Sequence, residues 1–158
     1  MFLKQRKWTR KCIAWVMLIQ FILQPALVAA EAVPDASADS QNKPTVATQN
    51  GVPVILITAP SAAGISRNIF TTFNIDSQGL IFNNSQTATI TQLAGSISGN
   101  ANLTGGMARI ILTEVTGSSS SQLNGYLEVA GQRADVIIAN PNGIVCSGLG
   151  FINTGRGV

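Results

Sequence analysis

An all-β fold is what this sequence predicts, and three observations carry the prediction. Short runs of β-branched and aromatic residues recur at 52–57, 69–75, 79–82, 87–90 and 109–112, each bounded by Gly, Asn, Ser, Pro or Gln. Past residue 30, no window of helical length keeps a 3.6-residue apolar period free of Gly and β-branched residues. Charged residues make up only 11% of the chain while Thr, Ser, Asn and Gly fill the turns, which suits coils that stack their apolar sides and repeat polar residues outside. Short, regularly spaced strands also fit a β-sandwich; the composition favours a β-solenoid.

The first thirty residues stand apart from this pattern. Lys4, Arg6, Lys7, Arg10 and Lys11 precede an apolar run at 13–23, and Pro25 is followed by the small residues Val28, Ala29 and Ala30. This is the layout of a secretory signal, with cleavage expected after Ala30. The run is short for a bilayer span, which needs roughly 20 residues, and Cys12 precedes it, so lipid attachment is not expected. Removing the signal changes the sign of the charge, since it holds five of the ten cations and none of the seven acids, leaving 5 − 7 = −2. The remaining cations, Lys43, Arg67, Arg109, Arg133 and Arg156, lie far apart in the sequence, and a nucleic-acid partner is rejected for want of a basic stripe.

Residues 31–50 are rich in Ala, Ser, Asp, Gln and Pro and poor in large apolar groups, and are expected to form a flexible leader. The composition changes at Gly51, where the folded module, 51–158, is expected to begin. An uncovered end coil would expose unpaired backbone groups, and residues 51–57 are the candidate cap. The segments at 69–75, 79–82, 87–90 and 109–112 follow as strands. The stretch 122–151 adds two further strand-like runs leading into Asn140, Pro141, Asn142 and Gly143. Asn-Pro and Asn-Gly each favour a turn, so overlapping them fixes a sharp corner.

Chemistry-bearing residues are few. There is no histidine, and Cys146 is the single cysteine after the signal, so neither a disulfide nor a metal site is expected. Asp76, Glu114, Glu128 and Asp135 are the acids from residue 51 onward. They form no paired acid and base set, and no Gly-rich phosphate loop accompanies them. An enzyme is not expected, and no cofactor is implied. Arg133 is expected to form a surface ion pair with Glu128 or Asp135. Both tryptophans lie in the signal, and Phe70, Phe73, Phe82 and Phe151 are expected in the core, which weakens the alternative of an adhesin or glycan-binding domain.

Several of these segments together resemble a known family. Residues 64–68, 73–75, 79–85, 111–116, 122–125, 127–134 and 139–144 are similar to the N-terminal two-partner secretion domain of filamentous haemagglutinins, haemolysins and contact-dependent growth-inhibition exoproteins. The family carries two signatures, Asn-Pro-Asn-Leu and Asn-Pro-Asn-Gly-Ile. The second is intact at Asn140, Pro141, Asn142, Gly143 and Ile144. The first appears as Asn100, Ala101, Asn102 and Leu103, with alanine where proline preorganises the backbone, a change worth about 0.4–1 kcal/mol. A second departure is Leu149 where many members have a second cysteine, which leaves Cys146 as a small buried hydrophobe.

The resemblance implies a right-handed parallel β-helix with an N-terminal cap, incomplete at its C-terminal end. It implies secretion to the surface of a Gram-negative bacterium through the Sec machinery and the periplasm. The partner it implies is an outer-membrane β-barrel transporter with soluble periplasmic recognition domains, and any contact with a host or target cell belongs to regions beyond this chain. For Asn100, Asn102, Asn140 and Asn142 two roles are open: direct contact with the transporter, or tying down turns through nearby backbone. The second is favoured.

Overall fold

The computed structural model describes residues 31–158; the signal reading and its Ala30 cleavage site lie outside the described residues. In chain order the strands are β1 (Ala32–Pro34), β2 (Thr45–Gln49), β3 (Val52–Leu56), β4 (Ile65–Phe73), β5 (Leu80–Asn84), β6 (Thr89–Thr91) and β7 (Gly95–Ile97). They continue with β8 (Ile110–Val115), β9 (Ser121–Leu123), β10 (Tyr126–Gly131), β11 (Ala134–Ala139), β12 (Ile144–Cys146), β13 (Gly150–Ile152) and β14 (Thr154–Gly157). A single short 3-10 turn, Ser40–Asn42, is the helical element among the described residues.

The strands pair in parallel across successive coils, which decides for the β-helix over the sandwich. One face is β4-β8-β11-β14 and a second is β3-β5-β10-β13. The third is β9-β12, extended by a parallel bridge from Ile75 to Leu123. Following the chain, the faces recur in the order second, first, third. Tyr126 pairs with Gly150 (150 − 126 = 24) and Ile110 with Asp135 (135 − 110 = 25), so one coil takes about two dozen residues. The step from Leu80 to Leu127 is longer, 127 − 80 = 47, because this coil carries an insertion.

The insertion explains a burial pattern that simple alternation does not. On the first face, β8 alternates half-buried and buried residues, with Ile111, Thr113 and Val115 buried. On the second face, β5 is buried throughout and β10 is buried over its four central residues. The antiparallel hairpin β6-β7 lies against the outside of this face. Ala94 and Ile97 pack there with Val52, Val54, Ile81 and Ala130 into a small second core. The main core fills the coil interior, where Phe70, Phe73 and Phe82 lie with ring centroids 5.2 and 6.0 Å apart.

Three expectations are corrected here. Residues 31–50 are no irregular leader: β1 pairs antiparallel with β4 and β2 antiparallel with β3, so this segment is the cap. Low apolar content misled because a cap needs only backbone pairing on one side and is free to face water on the other. The proposed cap at 51–57 is instead the first coil strand, since β3 runs parallel to β5. Finally, Cys146 and Phe151 are exposed, the latter at 40%, on the last described coil.

Among the described residues, one buried side-chain polar atom lacks a partner. The Thr113 hydroxyl, on β8 between Asn68 of β4 and Ile138 of β11, is fully buried and makes no hydrogen bond. An orphaned hydroxyl costs about 1–3 kcal/mol of desolvation, and valine has nearly the same shape. Thr113→Val should therefore stabilise the chain by about 1 kcal/mol; a drop in urea midpoint would contradict the burial argument.

Candidate functional site

Both signature segments form the same turn. In the first, the Asn102 amide donates to Asn100 Oδ1 at 3.0 Å and the Leu103 amide to the Asn100 carbonyl at 3.2 Å. In the second, the Asn142 amide donates to Asn140 Oδ1 at 2.9 Å and the Gly143 amide to the Asn140 carbonyl at 3.0 Å. The leading asparagine thus closes a turn with its own side-chain oxygen, and residue two of the turn is Ala101 in one case and Pro141 in the other. Gly143 has φ 97, a left-handed conformation in which glycine carries no steric penalty.

The side-chain amides then reach to an earlier part of the stack. Asn100 Nδ2 donates to the carbonyls of Ile57 at 2.9 Å and Asn83 at 3.0 Å, and Asn102 Nδ2 to Ile57 at 3.2 Å. Asn140 Nδ2 donates to the Ser119 carbonyl and the Ser121 hydroxyl, each at 3.0 Å, and Asn142 Nδ2 to the Gly117 carbonyl at 2.7 Å. Each turn is thereby riveted to other segments, the first to the ends of β3 and β5, the second to the loop before β9. They occupy different corners of the helix. Leu103 is buried in the main core, Asn100 is buried, and Asn102, Pro141, Asn142, Gly143 and Ile144 are exposed.

Other inter-coil ties were not anticipated from the sequence. Asn84, fully buried at the end of β5, accepts from the Ala108 amide at 2.8 Å and donates to the carbonyls of Ala108 at 2.8 Å and Gln132 at 2.9 Å. Asn68, also buried, works mostly within its own coil, accepting from the Thr58 amide at 3.0 Å and donating to Ser66 Oγ at 3.0 Å, with a longer bond to the Leu112 carbonyl of the next coil at 3.5 Å. Glu128 forms no ion pair with Arg133. Its buried carboxylate accepts the Gln92 and Leu93 amides at 2.8 and 2.9 Å, pinning the tip of the β6-β7 hairpin to β10. Among the described residues the ion pair present is Arg67 to Glu114 across β4 and β8, 2.6 Å and largely exposed, which is worth little. The signal that marks such residues is an asparagine at the end of an apolar run, as at 83–84.

The cap is locked by Asp35. Its carboxylate accepts from the Ser37 hydroxyl and amide at 2.6 and 2.8 Å and from the Thr116 hydroxyl at 2.6 Å, while its own amide donates to the Ile69 carbonyl at 3.0 Å. The Ser37 hydroxyl, then the Thr116 hydroxyl and the Ser37 amide, favour the ionised form and hold its pKa at about 2, below the ordinary 3.8. Because the folded value is the lower one, Asp35 contributes its full stabilisation above about pH 4 and loses it as pH falls towards 2. Asp35→Asn is expected to flatten the acid limb of a stability profile over that window; an unchanged limb would show that the cap is anchored otherwise.

Comparison with known proteins agrees with this geometry. The family model described as TPS secretion domain matches residues 30–158. The chain is 48% identical over 128 residues to "Toxin CdiA" of Yersinia pestis, covering 80% of this chain and 4% of that protein. It is 42% identical over 134 residues to "Hemolysin" of Serratia marcescens, covering 84% of this chain and 8% of that one. The chain therefore spans a small fraction of the length of these relatives. Among solved structures, the filamentous hemagglutinin secretion domain superposes with a TM-score of 0.72 at 41% identity, over 80% of this chain and 40% of that one. A parallel β-helix with an antiparallel cap and paired asparagine turns, matched by the family model over all described residues, places this chain in the two-partner secretion domain family, whose exoproteins are secreted or surface-displayed by Gram-negative bacteria.

Proposed function

We propose that residues 31–158 are the export address of an exoprotein, read in the periplasm by soluble domains of a dedicated outer-membrane β-barrel transporter after the Sec machinery has delivered the chain and the signal has been removed at Ala30. The asparagine turns serve this address by shaping it. The observation that carries the second statement is that both polar atoms of Asn100 and of Asn140 are already engaged within the chain, which leaves them little to offer a partner. An unfolded or partly folded chain of alternating strands can add to an exposed sheet edge of a partner, backbone hydrogen bonds supplying affinity and alternate side chains supplying register. The domain itself is a secretion module and catalyses nothing; toxin or haemolysin activity of the whole exoprotein belongs to regions beyond this chain.

The test is secretion of the tagged chain from a Gram-negative host with and without a cognate transporter, beside Asn100→Ala and Asn140→Ala. Release that depends on the transporter is expected. Asn100 is buried and rivets two strands, so its loss should destabilise by about 2–4 kcal/mol against about 1 kcal/mol for the exposed Asn140 corner. Under the shaping role, secretion falls in the same order as stability, and binding of urea-unfolded variants to the transporter's periplasmic domains is unchanged. Weaker binding of unfolded Asn140→Ala would instead make that side chain a direct contact.

A further inference from the structure

Arg109, Arg133 and Arg156 lie far apart in sequence, but Arg109 immediately precedes β8, Arg133 immediately precedes β11 and Arg156 lies on β14, three neighbouring strands of the first face. Stacking therefore gathers them on one corner, where they line a groove of about 520 Å³ with Ala134, Asp135 and Gly155. Three of the five cations in residues 31–158, a segment with more acids than bases, converge there, so the rejection of any basic stripe on the ground of separation is corrected. No carboxylate pairs with them: among the described residues the ion pair is Arg67 to Glu114, on the outside of β4 and β8. Asp135, the single acid in the groove, leaves a local excess of 3 − 1 = 2 positive charges.

Two of the guanidiniums are positioned by backbone. Arg109 Nη2 donates to the Ala63 carbonyl at 2.7 Å, with its side chain laid against Gly64, and Arg133 Nη2 donates to the Thr154 carbonyl at 3.1 Å. Carbonyl ties orient a guanidinium without neutralising it, leaving its other N–H groups free. All three arginines line the same groove, which lets more than one guanidinium meet a single tetrahedral oxyanion there. Arginine's planar fork suits phosphate in particular.

We propose that this cluster is a binding site for a phosphate oxyanion, free or carried on a glycolipid headgroup. Calorimetric titration of the purified chain with inorganic phosphate at low ionic strength should show binding in the millimolar range or tighter, absent with chloride. Arg133→Gln and Arg156→Gln should each weaken it at least tenfold, and Arg67→Gln should not. The Arg156 side chain makes no hydrogen bond within the described residues, so its variant is expected to fold; a thermal melt of each variant checks this. Titration with phosphatidylcholine vesicles carrying a diphosphorylated glycolipid separates the sources, with binding at least tenfold tighter than inorganic phosphate assigning the headgroup and equal affinity the free ion. Absence of phosphate binding, equal binding by Arg156→Gln, or binding of polyglutamate in place of phosphate would overturn the proposal.

Discussion

Asn84→Leu is expected to remove about 3–5 kcal/mol of stability, the largest loss from any single polar side chain in the fold. The substitution keeps the branched shape but takes the side-chain partner from the Ala108 amide and the Gln132 carbonyl, and leaves the Ala108 carbonyl only the longer bond from Gln132 Nε2 at 3.4 Å. Each buried group left without a partner costs about 1–3 kcal/mol, and no solvent reaches this position. Asn84→Asp separates the contributions, since a carboxylate still accepts from the Ala108 amide but cannot donate to either carbonyl. Urea unfolding monitored by circular dichroism measures both. A loss below about 1 kcal/mol for the leucine variant would mean the coils are held by apolar packing alone.

The second large effect is expected from one methyl group. Gly125, buried in the corner between β9 and β10, lies so close to the preceding coil that a Cβ would overlap the Asp76 carbonyl oxygen and press on the Gly79 amide nitrogen. Those atoms are backbone, so no rotamer change relieves the overlap and the coils must part. Gly125→Ala should cost about 2–4 kcal/mol, at or above the usual range for overpacking. Gly105→Ala is the control, because nothing lies within 4 Å of a Cβ there and its φ is not left-handed. Equal melting temperatures for the two variants would show that the corner yields.

What the sequence made legible was what local chemistry decides. The β-branched runs at 69–75 and 79–82 became β4 and β5, and the Asn140 corner is a turn because Pro141 presets one backbone angle and Gly143 adopts a left-handed one without penalty. Stacking was harder to read. Asn84 closes a run that reads as one more apolar strand, and its partners lie 24 and 48 positions on. Glu128 looks like a surface acid until the hairpin it anchors is folded over it. The arginine cluster becomes visible once β8, β11 and β14 are known to be neighbours, and the insertion between β5 and β8 hides that stacking from any search for a simple repeat. The cap was missed for a different reason: β1 and β2 are held by hydrogen bonds to neighbours distant in sequence, to which composition is blind.

That insertion has a consequence for how the stack finds its alignment. A ladder of near-equal rungs is degenerate: sliding it by one rung satisfies almost as many backbone pairs as the correct match, as in any translationally symmetric lattice. The coil holding the β6-β7 hairpin is unlike its neighbours, and its features, Asn84 facing Ala108 and Gln132 and Glu128 facing the hairpin tip, have partners in one alignment alone. A chain displaced by one rung buries a carboxylate with nothing to receive it. The insertion acts as an index mark, and it lifts the degeneracy at the first place where a fully wound coil lies on another.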